Sequence, residues 1–321
     1  MNLFDFWNKI PFLNQLAPKQ ENFAFIYSPN YNLRLTGHVF PAVKFEMIYE
    51  LVSMDEELSE IPIFYPEPVG REILSAIHTK EYLNDLFKLK NTERTRYSEL
   101  PLTQSLLDAV CFAVGGTILA AELTSEYEYV YNIGGGFHHS FADHAEGFCY
   151  LNDVAIASRE YQKVNPEAKI LIIDLDVHQG NGTASIFQND NSVYTFSMHQ
   201  ENIYPKKEKS NLDVGLADGC KTKEYLILLK ESLNKIALEF KPDLIFYLAG
   251  ADPYEDDVLG GLKLTLEGLM ERDLIVKKFC KEMKAKTVIL TAGGYSREFK
   301  DTVLIHLNTA KVFSREQNGL F

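Results

Sequence analysis

The chain is expected to fold as a single-domain α/β protein, with a central, mostly parallel sheet between two layers of helices. Three observations predict this. Short apolar runs of strand length alternate with longer segments whose apolar residues recur at helical spacing. No linker rich in Pro, Gly or Ser and no internal repeat interrupts the 321 residues. Glycine, histidine, aspartate and tyrosine cluster just after the strand-like runs, where open parallel sheets bind their ligands.

Taken in order, residues 1–22 include the apolar stretch MNLFDFWNKIPFLNQLA. It lacks the basic start and small-residue cleavage site of a signal peptide, and Asp5 interrupts it. It reads as an N-terminal docking segment packed on the body, or alternatively as a membrane or partner contact. The folded domain is expected over 23–321. Strands are expected at 23–27 (FAFIY), 127–133 (YEYVYNI), 169–175 (KILIIDL), 193–198 (VYTFSM), 243–249 (DLIFYLA) and 287–292 (TVILTA). Between them, 103–123, 149–164, 222–240, 265–283 and 297–313 carry helical periodicity. Lys241-Pro242-Asp243 is a helix stop ahead of a strand.

Composition narrows the function classes. With 46% hydrophobic and 24% charged residues the chain is ordinary globular material, long enough to bury a large core without disulfide staples. Its four cysteines are widely spread, with no Cys-x-x-Cys pair, which fits reduced thiols and a cytoplasmic location. No stretch approaches about 18 consecutive apolar residues, so stable membrane insertion is not expected. The net charge of −13 would repel nucleic acid as a main ligand, while it tolerates cationic peptides or polyamines. Oligomeric state is left open.

The strand ends carry the chemistry. Gly134-Gly135-Gly136-Phe137-His138-His139 follows one strand; Asp174, Asp176 and His178 close another. Ser197 and His199, Asp252, and Gly293-Gly294-Tyr295 follow three more. Extended backbone is expected to place the side chains of 174, 176 and 178 on one face, since side chains alternate with period two. Asp176, His178 and Asp252 could then bind a metal and leave one position open, as catalytic zinc requires; such an oxygen-rich set also accepts Fe(II). Adjacent histidines need partners that fix their tautomers, and Asp174 and Asn181 are natural candidates. A carboxylate would make its histidine more basic and an amide less so, a division suited to acid–base work. Tyr295 could donate to a developing oxyanion. Each feature also has an ordinary reading: a capping Asp, a Gly-rich turn with satisfied histidines, an aromatic packed at a turn. Together they point to one shared site.

In that company the sequence resembles the histone deacetylase and acetylpolyamine amidohydrolase family. The resemblance lies in GGGFHHS, GFCYLND at 147–153, DLDVHQGNGT at 174–183, AGAD at 249–252, LGGL at 259–262 and AGGY at 292–295. It extends to YSPNYN at 27–32 and IHTKEYL at 77–83, covering about residues 23–313. HQGNG, LGGL and NIYP at 202–205 look most like the class IV branch and its bacterial relatives. The resemblance implies an arginase/deacetylase-like fold and a catalytic domain over 23–321. It implies a zinc-dependent deacylase, with zinc on Asp176, His178 and Asp252 and a catalytic pair His138 and His139. Asp174 and Asn181 would be their respective partners, and Tyr295 the oxyanion donor. The family often has Asp where this chain has Asn181, so His139 is expected to be the less basic histidine and the general base. Phe148 and Tyr204 would wall the substrate tube, with Gly136, Gly147 and Gly294 beside it. A structural potassium ion would use Asp174, Asp176, His178, Ser197 and Met198.

Acylated lysine in a peptide or protein is the expected substrate, with acetyl or longer chains; acetylated polyamines or small amides are the alternative. A binuclear manganese enzyme of the arginase type would need carboxylates where Gly180 and Tyr254 stand. A non-catalytic acyl-lysine binder would be expected to have lost a metal ligand or the tyrosine.

Overall fold

The computed structural model describes residues 22–315, apart from 33–34, 36–37 and 42. The expected docking segment therefore lies, save for Asn22, outside the described residues. The expected strands form at Phe23–Ile26 (β1), Tyr129–Asn132 (β3), Ile170–Asp174 (β4), Val193–Gln200 (β5), Leu244–Leu248 (β7) and Lys286–Leu290 (β8). Two short edge strands, Ile63–Phe64 (β2) and Leu212–Leu216 (β6), complete one sheet in the order β2-β1-β3-β8-β7-β4-β5-β6. Every pairing is parallel. The inner strands β1, β3, β4 and β7 are buried along their whole length, which is why they read as unbroken apolar runs. β6 is half-exposed and carries Asp213 and Gly215, so it lacks that signal.

The helices lie in two packed groups, on the two faces of the sheet. Gln104–Leu123 (α4), Asp153–Val164 (α5) and Asn181–Phe187 (α6) pack in series, with Arg71–Leu74 (α2) against α5. Lys44–Met54 (α1), Phe299–Ser314 (α9), Leu266–Met283 (α8) and Thr222–Glu239 (α7) form the other series. Both α4 and α9 rest on β3. Lys80–Phe87 (α3) is peripheral, capped by Thr79 Oγ1 accepting from the Tyr82 amide. Thr103, Asn152 and Thr265 cap α4, α5 and α8 in the same way. α4 is by length and composition apolar enough to cross a bilayer, closer to that limit than a count of consecutive apolar residues suggests. Yet 72% of its most apolar window is buried within the protein, as in a core helix.

Within the second group, α1 and α9 are tied by a largely buried ion pair, Lys311 Nζ to Asp55 Oδ2 at 2.5 Å. Burial opposes the charge on Asp55, but Lys311 and the amides of Leu58 and Glu57 outweigh it and hold its carboxyl below the ordinary range. A depressed carboxylate contributes stability above its unfolded pKa and loses it as pH falls through the folded value. Asp55→Asn should therefore cost about 1–3 kcal/mol at pH 7. The difference should shrink as pH falls through the depressed folded pKa, as followed by urea unfolding across an acidic pH series.

Candidate active site

The sheet order places the carboxyl ends of β3, β8, β7 and β4 side by side, and four of the five chemistry-bearing segments follow these strands; Ser197 and His199, expected after a strand, lie within β5 itself, which runs on to Gln200. That adjacency brings residues more than 150 positions apart to one cavity of about 550 Å³. Its lining includes His138, His139, Asp176, His178, Phe148 and Tyr295.

After β3 the chain turns through the glycine loop. Gly136 has a φ of 84°, and a Cβ there would sit 2.8 Å from Ala292 Cα; only glycine meets both demands. The loop is held by the buried carboxylate of Asp153, which accepts from the amides of Gly136 (2.9 Å) and Phe137 (2.7 Å) and from Thr117 Oγ1 (2.6 Å). The two histidines then stand in series. His138 Nδ1 is 2.7 Å from Asp174 Oδ2, His138 Nε2 is 3.1 Å from His139 Nε2, and His139 Nδ1 is 2.8 Å from Asn181 Oδ1.

Their basicities diverge. Burial disfavours the charged form of both rings. At His138, Asp174 and Asp176 outweigh it and raise the ring to about 9. At His139, burial is reinforced by the charges of His138 and His178, and the neutral Asn181 offers little in return, so its pKa falls well below 6.5. The first ring thus favours its protonated form at neutral pH and the second its neutral form.

β4 ends at Asp174, so the period-two argument for residues 174, 176 and 178 fails beyond that point. The chain bends there instead. Asp174 Oδ1 accepts from the Asp176 amide at 3.2 Å and Asp176 Oδ1 from the His178 amide at 3.0 Å, which turns the backbone locally. Asp176 and His178 still meet Asp252, their ligand atoms within 4.8 Å of one another. The carboxylates are aimed: Asp176 Oδ2 accepts from the Gly293 amide and Asp252 Oδ1 from the Val177 amide, each at 2.8 Å. The remaining oxygens face His178 Nδ1, at 3.2 Å from Asp176 Oδ1 and 3.5 Å from Asp252 Oδ2. Gly293 lets the loop cross above them, since a Cβ there would lie 2.1 Å from Asp252 Oδ2. Fully buried Arg272 supports this floor, donating to the Gly250 carbonyl at 2.5 Å and pairing with Asp273.

Tyr295 is placed by its amide, which donates to Asp257 Oδ2 at 2.7 Å; the other oxygen of Asp257 accepts from Leu259 and Gly260. Its ring packs on Phe148 and Phe40, with the Lys44 ammonium 5.7 Å from its centroid. Tyr204 stands across the cavity against His139 and His178. Gly136 and Gly147 line the cavity; Gly294 does not. Gly294 is buried beneath, facing Ala251 and Thr302, because the loop presents Gly293 to the carboxylates. Ser197 pairs in register with Asp174 across β4 and β5, and its hydroxyl meets His199 Nδ1 at 2.9 Å. Met198 is buried beside it.

Four contributing residues escaped the sequence reading: Lys44, Glu146, Asp153 and Asp257. Lys44 is fully buried and donates to the Ala292 carbonyl at 2.6 Å. Glu146 accepts from Asn181 and Tyr204. Only Asp153 had a local signal, directly after the Asn152 cap at the start of a helix.

The sequence model of the histone deacetylase domain family matches residues 38–309. The chain is 38% identical to an uncharacterized protein of Picosynechococcus sp. over 287 residues, 88% of this chain and 96% of that protein. It is 33% identical to histone deacetylase 2 of Arabidopsis thaliana over 289 residues, 85% of this chain and 75% of that one. Acetoin utilization protein AcuC of Bacillus subtilis is 28% identical over 302 residues, 85% of this chain and 77% of the relative. The match spans the glycine loop, both histidines, the acidic cluster and the tyrosine loop, and with the parallel α/β/α fold it shows that the chain belongs to the histone deacetylase family.

Proposed function

We propose that this protein is a zinc-dependent deacylase that hydrolyses the amide of an N-acylated amine, with acyl-lysine in a peptide or protein as its substrate. The observation that carries the reading is the convergence of Asp176, His178 and Asp252 on one point of a cavity that also holds a histidine pair of divided basicity. The donor set fits a divalent cation. Asp252 Oδ2 is buried without a hydrogen-bond donor, and burial with Asp176 alongside raises the Asp252 carboxyl to about 7. A bound cation would relieve both conflicts. Two carboxylates and one imidazole leave a position open, which favours zinc and also accepts Fe(II).

When bound, the metal supplies polarisation of the amide carbonyl and acidification of water. The protein's own groups do the rest. His139, unprotonated, takes the proton of the attacking water at Nε2. Tyr295 donates its phenolic proton in a hydrogen bond to the oxygen that becomes anionic. His138, charged and 3.1 Å from His139, holds the proton needed by the departing amine. Phe148 and Tyr204 wall the tube that carries the acylated side chain. Tyr295→Phe should lower kcat on the order of 10²–10³-fold with little change in KM, as steady-state kinetics would show; an unchanged kcat would remove the phenol from the reaction.

A structural potassium ion near Asp174, Asp176, His178, Ser197 and Met198 belongs to the same reading, supported by the register that sets Asp174 beside Ser197. Placement nearest the class IV branch rests on HQGNG, NIYP and LGGL. A cytoplasmic location is supported by four free, buried cysteines. The test is hydrolysis of lysine peptides carrying acetyl, butyryl, octanoyl and myristoyl groups. Turnover of at least one is expected, and the best chain length reports how deep the cavity runs behind the reacting carbonyl. Inactivity on all four, with turnover of acetylated polyamines, would replace the peptide substrate by a small amine.

A further inference from the structure

Asn181 is the weak point of the histidine pair. A carboxylate at this place could only accept a hydrogen bond, whereas an amide can turn either its oxygen or its NH₂ toward His139. The two orientations have opposite consequences. With Oδ1 toward it, His139 Nδ1 must carry the proton, and Nε2 is left with the lone pair that a base needs. With the NH₂ toward it, Nδ1 must accept, the proton moves to Nε2, and that N–H faces His138 Nε2 at 3.1 Å. The base is then lost.

Glu146 is placed to decide between them. Its Oε1 lies 2.8 Å from Asn181 Nδ2 and 3.1 Å from the Tyr204 hydroxyl, and its Oε2 is 3.7 Å from His144 Nε2. His144 is in turn 2.6 Å from Asp143. Burial raises the Glu146 carboxyl, but the donors His144, Asn181 and Tyr204 outweigh it and leave it below the ordinary range. Ionised, it offers acceptors alone. The Glu146 side chain is only 22% exposed, so water does not readily substitute for it.

We infer that Glu146 is a positioning residue: by accepting from the Asn181 amide it fixes which end of that amide faces His139, and so keeps the basic lone pair on His139 Nε2. Asn181 and Glu146 together do what a single carboxylate would do alone. The inference rests on His139 being the base in the reading above.

The test uses reciprocal substitution in the full chain. Glu146→Leu should lower kcat about 10–100-fold, the scale of a lost hydrogen bond to a charged group. Tyr204→Phe, which removes only the other contact, should act mainly on KM. The decisive variant adds Asn181→Asp to Glu146→Leu. A carboxylate at 181 has no end to turn and needs no partner to orient it, so most of the lost kcat should return. Glu146→Leu with wild-type kcat, or a double variant no faster than Glu146→Leu, would overturn the inference; a merely structural role for Glu146 predicts the second result. Ring ¹⁵N shifts of His139 give a readout independent of turnover. They should report a single Nδ1–H form in the wild type and a mixture in Glu146→Leu, and identical shifts in both would also overturn it. A wild type inactive on every acyl amide would instead sink the deacylase reading, and these shifts would then decide the role of Glu146 by themselves.

Discussion

Dialysis against a chelator is expected to reduce turnover of acyl-lysine peptides at least ~10³-fold, the equivalent of several kcal/mol of lost electrostatic stabilisation. Adding zinc should restore it. The expectation follows from how the acidic cluster is built. Two carboxylates are buried together, Asp176 at 1% and Asp252 at 0% exposure, and each is aimed by a backbone amide from a different loop. Such an arrangement costs stability unless a cation fills it. Metal binding should therefore appear in the folding equilibrium as well as in the rate. Zinc at 100 times its Kd should stabilise the wild type by about 2.7 kcal/mol, and Asp252→Ala should lose most of that response together with turnover. Restoration by Fe(II) under anaerobic conditions, to a higher rate than by zinc, would change the metal and keep the site. Full activity in the chelated protein would remove metal chemistry from the reaction.

The legible part of this site and the illegible part differ in physical origin. A strand buried on both faces must be apolar throughout, so β3, β4, β7 and β8 announce themselves in the sequence, and the polar residues after each are conspicuous by contrast. Parallel topology then gathers those ends at one edge, whatever their separation along the chain. His138, Asp176, His178, Asp252 and Tyr295 could be gathered on that argument before any coordinates. The local path was another matter. The Asp176–His178 segment bends through its own side-chain hydrogen bonds, and strand periodicity does not describe it. Lys44, Glu146 and Asp257 left no trace, because nothing nearby in sequence explains them. Glu146 looks like one more solvated charge in a chain of net charge −13, and becomes informative only once Asn181 and Tyr204 arrive from elsewhere. Lys44 is one lysine among many in the sequence, yet its ammonium is buried against the Ala292 carbonyl and the rings of Phe40, Phe45 and Tyr295.

His139→Ala should lower kcat on the order of 10²–10⁴-fold, the range for loss of a positioned general base, and the pH profile should show why the two histidines are not interchangeable. As the base of the proposed reaction, His139 must be unprotonated to act. Activity is then present above its pKa and lost as pH falls through it. Because burial and the charge of His138 depress that pKa, the acidic limb of kcat/KM should lie below 6.5. His138 must be protonated to give its proton up. Its contribution is present at low pH and lost as pH rises through about 9, where Asp174 and Asp176 hold it against the opposing effect of burial. The wild type should thus show a plateau across neutral pH, bounded by these two limbs. His138→Asn keeps a polar group of similar reach but cannot carry the proton, so the limb near 9 should disappear while the acidic limb remains. Should the basic limb survive in that variant, the proton must come from elsewhere, and His139, protonated after the attack, would perform both transfers. Asp174→Asn separates the same alternatives from the other side: without the carboxylate 2.7 Å from Nδ1, His138 loses its main stabilising charge. The basic limb should then move toward neutral pH if His138 is the acid, and stay in place if it is not.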